Sequence, residues 1–117
     1  LISYLDLNDN LIDQVPDLTF PLLTALSLFK NRIREVADFS GLPNLKLLRL
    51  SRNSLRRVPN FSGILNLHFL YLDNNQIEEI PAFENLTALK HIGLVENRVR
   101  EADLPERLKK FEPLQKY

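Results

Sequence analysis

The sequence contains no cysteine, so disulfide scaffolds and thiolate metal sites are excluded. Methionine is missing too, even at the first position, where the chain opens mid-pattern with "LISYLDL"; this suggests a processed chain or an excised fragment. No apolar run reaches the length of a membrane span, and no signal peptide is visible. The three glycines, Gly41, Gly63 and Gly93, stand too far apart for a phosphate-cradling loop or a dinucleotide-binding fingerprint. Net charge is absent as well: fifteen basic residues cancel fifteen acidic ones, which removes the usual electrostatic case for nucleic acid or an anionic membrane. The lack of cysteine and of a leader favours a cytoplasmic chain, and a bacterial surface protein also fits.

Leucine, by contrast, is abundant: 25 of the 117 residues. Its placement is periodic. Asn10, Asn31, Asn53, Asn75 and Asn97 follow one another at steps of 21, 22, 22 and 22 residues, and ahead of each stands the frame L-x-x-L-x-L-x-x-N. The frame reads Ile2, Leu5, Leu7; Leu23, Leu26, Leu28; Leu45, Leu48, Leu50; Leu67, Leu70, Leu72; and Leu89, Ile92, Leu94. Behind each asparagine it continues, as in Leu55, Val58, Phe61 and Ile64 after Asn53. Self-similarity at such a period marks a repeat architecture.

These residues build a coil on physical grounds. In "LYLDN", Leu70 and Leu72 share one face of a strand while Tyr71 and Asp73 share the other. One unit cannot bury its leucines, whereas stacked units joined in a parallel sheet can. Each buried apolar side chain then contributes roughly 1.5–3 kcal/mol before conformational entropy is subtracted.

The frame resembles that of leucine-rich repeat proteins over roughly residues 1–102. The unit "NSLRRVPNFSGILNLHFLYLD" is similar to the 22-residue class of intracellular phosphatase regulators and bacterial internalins, with prolines (Pro16, Pro59, Pro81) closer to bacterial effector and extracellular variants. The resemblance implies an α/β solenoid, a right-handed coil with a concave parallel sheet and a convex side of short helical, 3-10 or irregular segments. Five repeats are expected over 1–102, and over 103–117 either a C-terminal helical cap or a truncated further repeat.

Individual columns carry narrower expectations. The five asparagines stand where strands end, and an amide offers both donors and an acceptor to backbone groups left without partners; a structural ladder follows. Gly41, Gly63 and Asn85 share a column that predicts a left-handed turn residue. Asn85-Leu86-Thr87 also spells a glycosylation acceptor, although the column already accounts for the asparagine. Convex charges predict weak inter-coil ion pairs at 13/34, 56/78, 78/100, 35/57 and 57/79. At the C-terminal end, Asp103-x-x-Glu106 is a capping-box arrangement, with Leu104, Leu108 and Phe111 at helical spacing and Pro113 as the stop. At the other end Ile2 and Leu5 are expected to lie open, which suggests further residues before Leu1.

Chemistry is sparse. His68 and His91 occupy different columns, and even with Asp73 nearby no nucleophile or pocket accompanies them; no cofactor site, metal cluster or catalytic constellation is legible. What varies from repeat to repeat is the outer strand face: Tyr4, Asp6, Asn8; Ala25, Ser27, Phe29; Leu47, Arg49, Ser51; Phe69, Tyr71, Asp73; His91, Gly93, Val95. Aromatics and arginine are frequent at binding hot spots. The expected role is therefore protein–protein binding through Tyr4, Asp6, Phe29, Leu47, Arg49, Phe69, Tyr71, Asp73 and His91, with no nucleic acid, membrane insertion or cofactor. Five strands at about 4.8 Å spacing give a face of a few hundred Å², below the about 800 Å² of a standard interface, which favours a piece of a longer array. The alternatives are substrate recruitment for an enzyme outside this segment and a purely structural spacer.

Overall fold

The computed structural model describes residues 3–111. Five three-residue strands, β1 (Tyr4–Asp6), β2 (Ala25–Ser27), β3 (Leu47–Arg49), β4 (Phe69–Tyr71) and β5 (His91–Gly93), form one parallel sheet in sequence order. The register advances by one repeat at each step: Leu5 faces Leu26, Leu26 faces Leu48, Leu48 faces Leu70 and Leu70 faces Ile92. This is the coil with a parallel sheet that the resemblance implies.

Each coil encloses its own apolar set. In the third, Leu45, Leu48, Leu50, Leu55, Val58, Phe61 and Ile64 are all buried. Burial is weaker in the first coil, where Leu5, Leu7, Ile12, Val15 and Leu18 only partly pack against the core because no coil precedes them among the described residues. Ile2, the first frame residue, lies outside the described residues, as does Pro113.

The glycine column is not a left-handed turn. No glycine has positive φ. Instead the coils approach one another so closely there that a Cβ on Gly41 would collide with the Leu18 carbonyl oxygen, and one on Gly63 would lie 2.8 Å from Ser40 Cα. The left-handed residues are elsewhere. Two positions before this column stand Phe39, Phe61 and Phe83, with φ of 56°, 56° and 52°; their rings stack at 6.1 and 5.9 Å between centroids. The second left-handed column, Asp9, Lys30, Arg52, Asn74 and Glu96, immediately precedes the asparagines. There the bend lets the backbone N–H reach the next coil, as Arg52 N donates to Asp73 O at 2.9 Å. A non-glycine residue in this conformation costs about 1–2 kcal/mol, and it persists where packing and hydrogen bonds fix it.

Of the five convex ion pairs only Arg56–Glu78 forms, at 3.3 Å. The others are long exposed side chains for which holding one geometry costs more entropy than the pair returns.

The C-terminal capping-box helix does not form either. Residues Glu101–Asp103 and Glu106–Leu108 make two short 3-10 turns separated by Pro105. Proline lacks an N–H and pushes the residue before it out of the helical region, and Leu104 is indeed extended (φ −71°, ψ 134°). Asp103 sits inside the first turn, its carboxylate accepting from Arg100 Nε at 2.8 Å. Leu104, Leu108 and Phe111 are nevertheless buried against the last coil. Leu108 N donates to Pro105 O and Phe111 N to Leu108 O, which retraces the turn made by Leu42 N to Phe39 O and Leu45 N to Leu42 O.

Candidate protein-binding face

The alternation of the strands sends two rows of side chains outward. Tyr4, Ala25, Leu47, Phe69 and His91 are register neighbours in one row, and Asp6, Ser27, Arg49, Tyr71 and Gly93 in the next. A third row, Asn8, Phe29, Ser51, Asp73 and Val95, follows where the chain leaves the sheet.

Among the candidate residues, the structure brings together Arg49, Tyr71 and His91. Arg49 Cζ lies 5.3 Å from the Tyr71 ring centroid, and the Tyr71 and His91 rings are 5.1 Å apart at 44°. Tyr71 is thus flanked by a cation from the preceding strand and an imidazole from the following one. Leu47 and Phe69 lie beside them in the first row, Leu47 half-buried and Phe69 37% exposed. Tyr4 is 52% exposed but stands three strands from Phe69, about 14 Å away at ordinary sheet spacing, and so outside this group. Phe29 is half-buried and carries a different partner, Arg52, whose Cζ lies 5.9 Å from the ring centroid.

The two acidic candidates have structural work. Asp6 Oδ1 accepts from Asn8 N at 2.9 Å within its own turn. Asp73 Oδ1 accepts from Val95 N at 2.8 Å in the next coil. Asn8 does the same three repeats earlier in the row, accepting from Phe29 N at 2.8 Å and from Ser27 Oγ at 2.6 Å. Gly93 belongs to this arrangement, since a Cβ there would run into the Asp73 carboxylate. The third row therefore couples coils as well as facing outward.

The asparagines below the sheet bind backbone only. Asn53 Oδ1 accepts from Ile33 N, and its Nδ2 donates to Leu28 O and Leu50 O, all at 3.0 Å. Asn75 repeats this with Leu55 N, Leu50 O and Leu72 O, and Asn97 with Ile77 N, Leu72 O and Leu94 O. Asn31 accepts from Asn10 N and Ile12 N. Asn10 donates only within its own coil, to Leu7 O and Asn8 O.

Strand alternation does not point to Arg52, which stands one position past the outward rows. Its signal lies in composition: between Asp38 and Asp73 there are five basic residues and no acidic one. His68, immediately before β4, places Nδ1 2.6 Å from Asn66 O. Among the described residues no group of His, Asp and Glu is arranged to hold a metal ion, and no helix is long and apolar enough to cross a membrane.

Comparison with known proteins agrees with this architecture. A leucine rich repeat model matches residues 2–55 and 21–77, and a model of two such repeats matches 65–115. No curated protein matches the sequence. Among solved structures, that of InlP from Listeria monocytogenes is similar, with a TM-score of 0.73 and 32% identity over 77% of this chain. The chain spans about a quarter (26%) of the length of that protein. On its frame, its sheet and these matches, the chain belongs to the leucine-rich repeat family, with repeats like those of bacterial internalins.

Proposed function

We propose that the chain is a protein-interaction module that engages its partner through the concave sheet, with Leu47, Arg49, Phe69, Tyr71 and His91 as the centre of contact. The observation that carries this reading is the joined group on strands β3 to β5. An arginine, a tyrosine and an imidazole are held against one another beside an exposed phenylalanine on the concave face. Such side chains present large, stiff area at low entropic cost, which is why hot spots are rich in them. Members of this family generally serve as interaction modules, and the reading assigns this segment binding without catalysis. Tyr4, on β1, would be touched only by a partner long enough to reach the first coil.

The test is selection of displayed protein fragments on the immobilised chain, followed by rescreening on variants. Binders should lose about 2 kcal/mol or more on F69A/Y71A, while the variant's melting midpoint stays close to wild type. Binders indifferent to that pair, but sensitive to substitutions on the convex side, would place the interaction elsewhere.

A further inference from the structure

The neutrality of the whole chain conceals an uneven distribution. Residues 39–72 carry Lys46, Arg49, Arg52, Arg56 and Arg57 and no carboxylate side chain. The solenoid winds this stretch around the third coil, so that positive charge forms a band one coil wide. On the convex side the band is partly neutralised, because Arg56 pairs with Glu78 at 3.3 Å. On the concave side it is not. Among the described residues neither Arg49 nor Arg52 has a carboxylate at ion-pair distance. Each guanidinium lies instead over a ring on a neighbouring coil, Arg49 over Tyr71 and Arg52 over Phe29.

This placement matters chemically. A guanidinium stacked on an aromatic ring uses its face, and its rim of N–H donors remains available for planar, bidentate contact with a carboxylate. The ring also limits the rotamers the arginine must give up on binding. We propose that Arg49 and Arg52 form a carboxylate-reading pair, and that the partner is a protein segment in which acidic residues alternate with apolar ones. The acidic groups meet the two arginines, and an apolar side chain rests on Leu47 and Phe69 in the adjoining row. This rests on the concave-face reading and adds the chemistry of the partner to it.

The charge pattern favours an acidic polypeptide over a nucleic acid. A phosphate backbone crossing the strands needs cations along its whole track. Here the band is bracketed by Asp6 and Asp9 on the first coil and by Asp73 and Glu96 on the fourth and fifth, so a strand of phosphates would pass from arginines onto carboxylates within two coils. A peptide needs its acidic residues only at the band.

The experiment is fluorescence anisotropy with three labelled probes at low and at physiological salt: a short peptide repeating Glu-Glu-Phe, the same peptide with Gln for Glu, and single-stranded oligothymidylate. The Glu peptide should bind wild type about tenfold or more tighter than the Gln peptide, and salt should narrow that gap. R49Q/R52Q should erase the preference, whereas the convex pair R56Q/R57Q should retain most of it. Equal binding of the two peptides, no binding of the Glu peptide, tighter binding of the oligonucleotide, or an equal loss in R56Q/R57Q would each overturn the proposal. The comparison of probes on wild type requires no variant to fold. Display-selected binders that depend on Phe69 and Tyr71 while the Gln peptide matches the Glu peptide would sink the carboxylate pair and leave the concave face standing. Binders that ignore Phe69 and Tyr71 would remove the face itself.

Discussion

Asn53 shows at the scale of one residue why its type recurs. Its amide makes four hydrogen bonds, from Ile33 N and to the carbonyls of Leu28, Leu50 and Ser51, inside a buried site. Alanine there leaves the buried Ile33 N–H unpartnered and takes one donor from each of the Leu28, Leu50 and Ser51 carbonyls, which keep Asn31, Asn75 and the Lys30 N–H, so Asn53→Ala should lower unfolding free energy by about 1–3 kcal/mol. Asn10, exposed and bonded through its side chain only within its own coil, should lose about 1 kcal/mol or less in the same substitution. Urea midpoints of the two variants check this, and equal shifts would contradict it. The asparagine column was legible because few side chains combine two donors with an acceptor at that length. The left-handed column beside it was not: Asp9, Lys30, Arg52, Asn74 and Glu96 share a backbone angle but no chemistry. Replacing Glu96 (φ 60°) with glycine should therefore raise stability, by about 1 kcal/mol, measurable as an upward shift of the urea midpoint.

At the scale of the element, two kinds of close approach set the convex side. One is backbone against backbone. Gly41→Ala should destabilise by about 2 kcal/mol or more even though its φ is ordinary, because the new Cβ meets the Leu18 carbonyl, which cannot move without shifting the coil. A melting temperature unchanged by that substitution would show that the first two coils can separate freely. The other approach is through buried side chains, as in the segment after Asn97. Leu108 is completely buried and its N–H closes the same turn as Leu42 does, so Leu108→Ala should cost about 2–5 kcal/mol. A loss below 1 kcal/mol would show that this limb is not part of the packed array. The sequence offered contradictory signs here. The capping-box spacing and the apolar spacing both suggested a helix, and the proline between them decided the outcome by forbidding a continuous one. The burial of Leu104, Leu108 and Phe111 was readable from pattern, and the path of the backbone was not.

At the scale of the whole molecule, among the described residues every strand contacts only its immediate neighbours in the sheet, so the coils form a nearest-neighbour array. Stability in such a chain is close to a sum of coil terms and interface terms. The frame, the sheet order and the outward rows were legible because each follows from a period of 22 and a strand alternation of two. The pairing of Arg49 with Tyr71 and of Arg52 with Phe29 was not, because it depends on which way long side chains lean between coils. The same nearest-neighbour logic sets how the molecule opens. Among the described residues the first coil has one neighbour and a half-buried apolar set, whereas the third has two neighbours and a fully enclosed one. Equivalent backbone bonds report on both: Leu7 N donates to Ser27 O, and Leu50 N to Tyr71 O. If coils open from the end inward, the Leu7 amide should exchange with deuterium at least about tenfold faster than the Leu50 amide under native conditions. Leu28 should fall between them. Identical protection at the three amides would mean that the coils open as a single unit, and the gradient of burial along the solenoid would then have no counterpart in its stability.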